Sequence, residues 1–165
     1  MEKEQVKQNA ETRSIPILAE NLPKLRVGQY WFDDDTCADD LIEGKSLKAV
    51  IVLINGQEVY GDIFTESEMT VKDVYKVSPL RNFKLEKNQF IANVREMELI
   101  AENLDLINDA LKKAEKTLWQ GYYWTDSDCC DYETWIKIFP EGKLKRSGKN
   151  NGSYQLRPLI RKQLP

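Results

Sequence analysis

Histidine is absent from all 165 residues of this chain. That absence excludes Ser-His-Asp and Cys-His catalysis, imidazole general bases and every metal centre that depends on an imidazole ligand. Cysteine is scarce: Cys37, Cys129 and Cys130 are the whole set, and no Cys-x-x-Cys spacing occurs. Neither a thiol-redox motif nor a zinc knuckle is therefore present. The odd number, and the strained small ring that a bond between the adjacent Cys129 and Cys130 would close, argue for free thiols. Long apolar runs are also missing. The longest, Ala49 to Ile54, is strand-sized and far short of the ~20 residues of a helical membrane span, so none is expected. The opening Met1-Glu2-Lys3-Glu4-Gln5 lacks the basic and then apolar character of a secretory signal. The expected location is cytoplasmic as synthesised, with later association with a cell surface or a virion left open.

What is present describes a folded chain. Hydrophobic residues make up 41% and charged residues 31%, enough for a core and too apolar for disorder. The length suits one domain, of roughly 100–200 residues. The net charge of −3 hides an asymmetry. Between Trp31 and Thr70 ten acids face only Lys45 and Lys48, a balance of −8; between Ile136 and Lys162 eight bases face Glu141 alone, a balance of +7. The two segments are expected to pair in space.

Residues 1–15 are read as a flexible polar arm and 16–165 as the domain. Pro16 and Pro23 bracket a short extended or turning segment. Val27 to Phe32 suits a strand, stopped by Asp33-Asp34-Asp35-Thr36, which reads as a solvated turn. Leu47 to Ile54 is the strongest strand signal, buried on both faces and so central to a sheet; Asn55-Gly56 turns it into a partner over Glu58 to Phe64. Asn93 and Glu96 have the spacing of a capping box, and Val94, Met97, Ile100, Ala101, Leu104, Ile107, Leu111 and Ala114 form one apolar stripe, with a bend near Asn103. The stripe is expected to pack on the sheet. Beyond Trp119 short strands return: Gly121 to Trp124, a polar loop over Thr125 to Tyr132, and Thr134 to Phe139, followed by a Pro140 to Lys143 turn, Leu144 to Arg146, a Ser147 to Gly152 loop and Tyr154 to Ile160. Strands, then helices, then strands indicate the α+β class with a mixed or antiparallel sheet and one or two packed helices.

The segments Phe90-Ile91-Ala92-Asn93-Val94-Arg95-Glu96-Met97, Asn103 to Leu111, Gly121-Tyr122-Tyr123-Trp124-Thr125-Asp126-Ser127-Asp128, Thr134 to Gly142 and Leu156-Arg157-Pro158-Leu159-Ile160 occur in an order that resembles a bacterial domain family. Its best-known member is the C-terminal domain of a collagen-like adhesin. The family is similar in plan to C-type-lectin-like domains, including the variable proteins of diversity-generating retroelements and the formylglycine-generating enzyme fold. The resemblance runs from about residue 27 to 161 and implies a C-type-lectin-like domain whose ligand face is built from the late strands and loops. Ala92-Asn93 departs from the family's Pro-Ser helix start, and Trp124 to Asp128 is more acidic than its aromatic-Ser-Ser-Thr segment. No motif places the copper-binding cysteines of the formylglycine-generating enzyme, so that activity is not implied.

Candidate ligand-binding residues are Thr125, Asp126, Ser127, Asp128, Tyr132, Glu133, Arg146, Asn150, Asn151 and Tyr154. The oxygen-rich stretch from Asp126 to Glu133 suits calcium, although it lacks the alternation and glycine of an EF-hand, and a solvated acidic loop is the alternative. No other cofactor and no metal site is expected. Of the aromatics, Trp124 and Trp135 are expected in the core, Tyr132 and Tyr154 at the surface. Arg157 is expected in a buried structural pair. Lys143, Lys145, Arg146 and Lys149 are basic, but a sequence pI near 5.2 argues against a nucleic-acid partner. Asp33, Asp34 and Asp35 have no second group of matched pKa to share acid and base roles. The expectation is a non-enzymatic module recognising a surface glycan or protein, adhesin-like or phage-associated. The alternative is an assembly subunit of a larger complex whose aromatic face is an oligomer interface.

Overall fold

The computed structural model describes residues 13–64, 67–69 as backbone, 85–148 and 154–165. Strands β1 (Ile15–Pro16), β2 (Tyr30–Phe32), β3 (Thr36–Ala38), β4 (Leu47–Asn55), β5 (Glu58–Asp62), β6 (Ser67–Met69) and β7 (Gln89–Phe90) precede helices α1 (Val94–Glu102) and α2 (Leu104–Lys113). Strands β8 (Gly121–Cys130), β9 (Glu133–Phe139), β10 (Lys143–Gly148), β11 (Tyr154–Leu156) and β12 (Leu159–Gln163) follow. They build two sheets. The first has the order β1-β3-β2-β4-β5-β12-β7, and the second the order β10-β9-β8-β11-β6. All pairs are antiparallel except β8 with β11. The class is α+β.

Strand β4 occupies the middle of the first sheet because both of its faces are apolar. Val50 and Val52 join Tyr30, Phe32 and Tyr60 in a core completed by Met97, Ile100, Ile107 and Leu111 of the helices. Ala49 and Ile51 face the other way, with Trp31, Cys37 and Val59, and are covered by Ile17, Leu25 and Leu164. The proline-bracketed segment, a 3-10 turn over Ala19–Lys24, thus roofs the outer face of the sheet. Ile15, the last residue of the arm expected over residues 1–15, is instead in β1, paired with Cys37; residues 1–12 lie outside the described residues. Gly56 supplies the positive φ of the β4–β5 turn. At Gly61 a Cβ would stand 2.7 Å from the Ala49 Cβ and 2.9 Å from the Trp31 ring, so only glycine fits there.

The capping box forms as its spacing predicts. Asn93 Oδ1 accepts from the Glu96 N–H at 3.0 Å and Glu96 Oε2 accepts from the Asn93 N–H at 2.8 Å. Asn103 ends α1 and starts α2, which sets the bend. The stripe packs inward against the sheet.

Behind the helices lies a buried ion pair. Asp62, at the end of β5, and Arg157, between β11 and β12, are both fully buried, with Arg157 Nη2 2.7 Å and Nε 3.0 Å from Asp62 Oδ2. Trp119 Nε1 donates to the same oxygen at 2.9 Å and the Phe64 N–H donates to Oδ1 at 2.8 Å. Arg157 also donates to the Thr117 and Leu118 carbonyls, and its guanidinium carbon sits 4.7 Å from the Trp119 ring centroid. The expected structural role of Arg157 holds.

Removing one partner strands the other charge in the core. Arg157→Met is expected to lower unfolding free energy by about 3–5 kcal/mol in urea titrations. Asp62→Asn combined with Arg157→Met should lose less than the two single losses together. Strict additivity would refute the pairing.

Candidate functional site

The late strands form the second sheet, and the expected polar loop over Thr125 to Tyr132 is not there. Residues 121–130 are one strand, β8, and only Asp131 and Tyr132 turn it into β9. The strand survives its polar composition because side chains repair the pairing where the register slips: Trp124 is opposite Ile136 and Asp128 opposite Thr134. Thr125 Oγ1 donates to the Trp135 carbonyl, and Thr134 Oγ1 to the Ser127 carbonyl, both at 2.9 Å. These bonds replace ladder bonds lost at the irregularity.

The same bonds sort the candidate residues. Thr125 is fully buried and its hydroxyl is engaged, so it is not presented to a ligand. Ser127 Oγ accepts from the Val94 N–H at 3.0 Å, and the Asp126 N–H donates to the Ala92 carbonyl at 2.9 Å, which ties β8 to the start of α1. Asp126 and Asp128 project from the strand into solvent. Desolvation, and then the neighbouring Asp128, raise the Asp126 carboxyl above its ordinary pKa. Tyr132, 81% exposed, stands at the turn beside the half-buried Glu133, and Arg146 is exposed on β10. Asn150 and Asn151 lie outside the described residues.

The calcium set does not assemble. Among the described residues, the one group of three Cys, Asp or Glu ligand atoms close enough for a single ion is Cys129, Cys130 and Glu133. Two of its members are sulfurs, which calcium does not take. The sequence offered no signal for this group, because Cys-Cys-x-x-Glu matches no metal-ligand spacing.

The aromatic residues form a continuous face. Trp124 is fully buried as expected, and Tyr154 packs edge-on against it with ring centroids 5.0 Å apart. Tyr122, 49% exposed, stacks on Tyr154 at 6.0 Å with an interplanar angle of 28°. Tyr154 is therefore half-buried rather than free at the surface, and the 3.1 Å hydrogen bond between its hydroxyl and Ser147 Oγ orients it. Ser147 itself belongs to β10, not to a loop. Trp135, expected in the core, is half-buried instead, since its position on β9 pairs with Arg146 of the sheet's edge strand. The exposed Lys143, Lys145 and Arg146 all lie on that edge, where charge discourages further strand pairing.

Two other regions differ from expectation. The Asp33 to Asp35 segment is not simply solvated: Lys45 Nζ reaches Asp34 at 2.7 Å, and Lys48 and Lys162 reach Asp35 at 3.0 and 2.9 Å. Trp31 Nε1 also donates to Asp35 at 3.0 Å. Between the Leu25–Tyr30 segment and α2 runs a groove of about 620 Å³, walled by Arg26, Gln29, Asp39, Leu106, Asp109 and Lys113 among others. Its size is within the range of small-ligand sites. Sequence reasoning missed it because its walls are distant in sequence.

Hydrogen bonds from Lys45 and Thr36 hold the Asp34 carboxyl down to about 2. Burial raises the Asp35 carboxyl, but hydrogen bonds from Lys162, Lys48 and Trp31 outweigh it and bring that group to about 2 as well. Unfolded aspartate titrates near ~3.9. The stabilisation is thus complete above that value and disappears as the pH falls toward about 2. Asp35→Asn should flatten the loss of stability between about pH 5 and pH 2 by about 1 kcal/mol or less, given its partial exposure. Urea melts across this range check it, and parallel profiles for the two proteins would refute it.

A scan of protein-family models finds none that matches this chain, and no curated protein matches it.

Proposed function

We propose that this chain is a non-enzymatic recognition module, a C-type-lectin-like domain that binds a surface glycan or protein through the outer face of its second sheet. The supporting observation is the Tyr122–Tyr154 stack, held from behind by Trp124 and Ser147. A partly exposed aromatic pair that is already ordered offers apolar area to a sugar ring or a side chain at little entropic expense. Hydroxyls and charges at its border supply direction, from Tyr132 at the β8–β9 turn to the exposed Lys145 on the edge strand, which pairs with Ile136 and so shares the face of Trp124, whereas Arg146 pairs with Trp135 on the opposite face. Sequence resemblance to lectin-like domains, which build their ligand face from late strands, agrees with this location. Architecture alone does not specify a ligand.

Binding of the purified chain to an array of bacterial polysaccharides and host glycans tests the reading, with Tyr122→Ala and Tyr132→Ala as variants. Specific binding that weakens by about 2 kcal/mol, roughly 30-fold, in Tyr122→Ala is the expected result. Binding that survives both substitutions and is lost in Asp39→Ala would move the ligand to the groove and overturn it. So would the absence of any ligand combined with a dimer or trimer in sedimentation that dissociates on Tyr122→Ala; that outcome makes the face an assembly interface.

A further inference from the structure

The β8–β9 turn brings together donors that the sequence keeps apart in kind. Asp128 is opposite Thr134 and Cys130 is opposite Glu133, so β8 spends two steps where β9 spends one, and Cys129 is the extra residue of a bulge. Neighbours on a regular strand point to opposite faces, whereas a bulge turns them toward the same side. The Sγ atoms of Cys129 and Cys130 and a Glu133 carboxylate oxygen accordingly lie within 4.8 Å of one another, with Cys129 Sγ 3.9 Å from Glu133 Oε2. Both thiols are free, Cys130 exposed and Cys129 half-buried.

From this geometry we propose that Cys129, Cys130 and Glu133 form a binding site for a divalent, borderline-soft metal ion of the zinc class. Two thiolates and one carboxylate are donors that zinc takes, at bond lengths of about 2.0–2.3 Å. A tetrahedron of that size has edges of roughly 3.3–3.8 Å. The 3.9 Å separation is close to this already and every pair lies within 4.8 Å, so small side-chain movements bring the three donors onto one ion. Three protein ligands leave a fourth position open to water or to a donor from a bound molecule. Binding one divalent ion by two thiols and an ionised carboxylate releases two protons and leaves the site with one net negative charge. Hard cations such as calcium and magnesium prefer oxygen and do not suit this set. The site lies at the hairpin turn and uses neither tyrosine of the Tyr122–Tyr154 face, so it stands independently of the function proposed above.

The test uses the full chain, reduced and stripped of metal, with zinc and cobalt ions as probes. Zinc titration against a chromogenic chelator should give one ion per chain. Cobalt should produce a near-ultraviolet thiolate-to-metal absorption band. Cys129→Ser and Cys130→Ser should each abolish the band and weaken zinc binding by at least about tenfold, and Glu133→Gln should weaken it by about tenfold. Cys37→Ser, which alters a buried thiol elsewhere, should leave the band unchanged. Circular dichroism confirms that the surface variants remain folded. A cobalt spectrum without the thiolate band, or zinc binding that persists undiminished in Cys130→Ser, would overturn the proposal.

Discussion

The rest of the architecture depends on the buried Asp62–Arg157 pair. Asp62 ends a strand of the first sheet, and Arg157 lies where the chain leaves the second sheet at β11 and enters the first at β12. Two further guanidinium protons are taken by the Thr117 and Leu118 carbonyls, in the segment that leads from α2 into β8. One charged group thus holds both sheets and the end of the helical layer in register. Burying two ions is expensive, and the arrangement is tenable because Trp119, Phe64 and these carbonyls satisfy what the pair leaves over. Such a centre tolerates little displacement, since moving any element strands a charge.

The same crossing organises the surface charge. Once β12 pairs with β5, the basic end of the chain lies along the acidic first sheet, and Arg161 meets Glu58 while Lys162 meets Asp35. The sequence dipole of −8 and +7 is therefore partly neutralised internally. What remains outward is the basic edge strand β10, whose charge is explained by its position at the end of a sheet without invoking a polyanion. Asp35 illustrates the logic: its residue adopts a positive φ at a turn, and its carboxylate gathers Lys48, Lys162 and Trp31 into one cluster.

Function in this reading concentrates on the second sheet because the irregularities of the β8–β9 pair fall among polar and thiol side chains, whereas those of the first sheet, at Trp31/Phe32 and Ile51/Leu53, fall in the apolar core. The slip after Trp124 frees backbone groups for side-chain bonds, and the bulge at Cys129 redirects two thiols. Regular pairing would have alternated those side chains across the sheet. Aromatic packing on the outer face, by contrast, relies on ordinary alternation, which puts Tyr122 and Trp124 on the same side, where Tyr154 meets both.

By itself the sequence determined the features whose causes are local: the two-faced apolar run of β4, the Asn55-Gly56 turn, the Asn93–Glu96 capping box, the helical stripe and its bend at Asn103. It also carried the buried role of Arg157, through the Arg157-Pro158 motif of the resemblance. Only the tertiary structure decided the rest. Thr125 to Cys130 reads as a loop because its side chains are polar, yet it is a strand, since pairing with β9 satisfies its backbone and side-chain hydroxyls repair the gaps. Tyr154 becomes half-buried because a parallel pairing of β11 with β8 sets it on Trp124, and no spacing announces a parallel neighbour. The Cys129, Cys130 and Glu133 cluster arises from a single extra residue in one strand. A bulge depends on how two strands register, and register is a property of the pair rather than of either sequence.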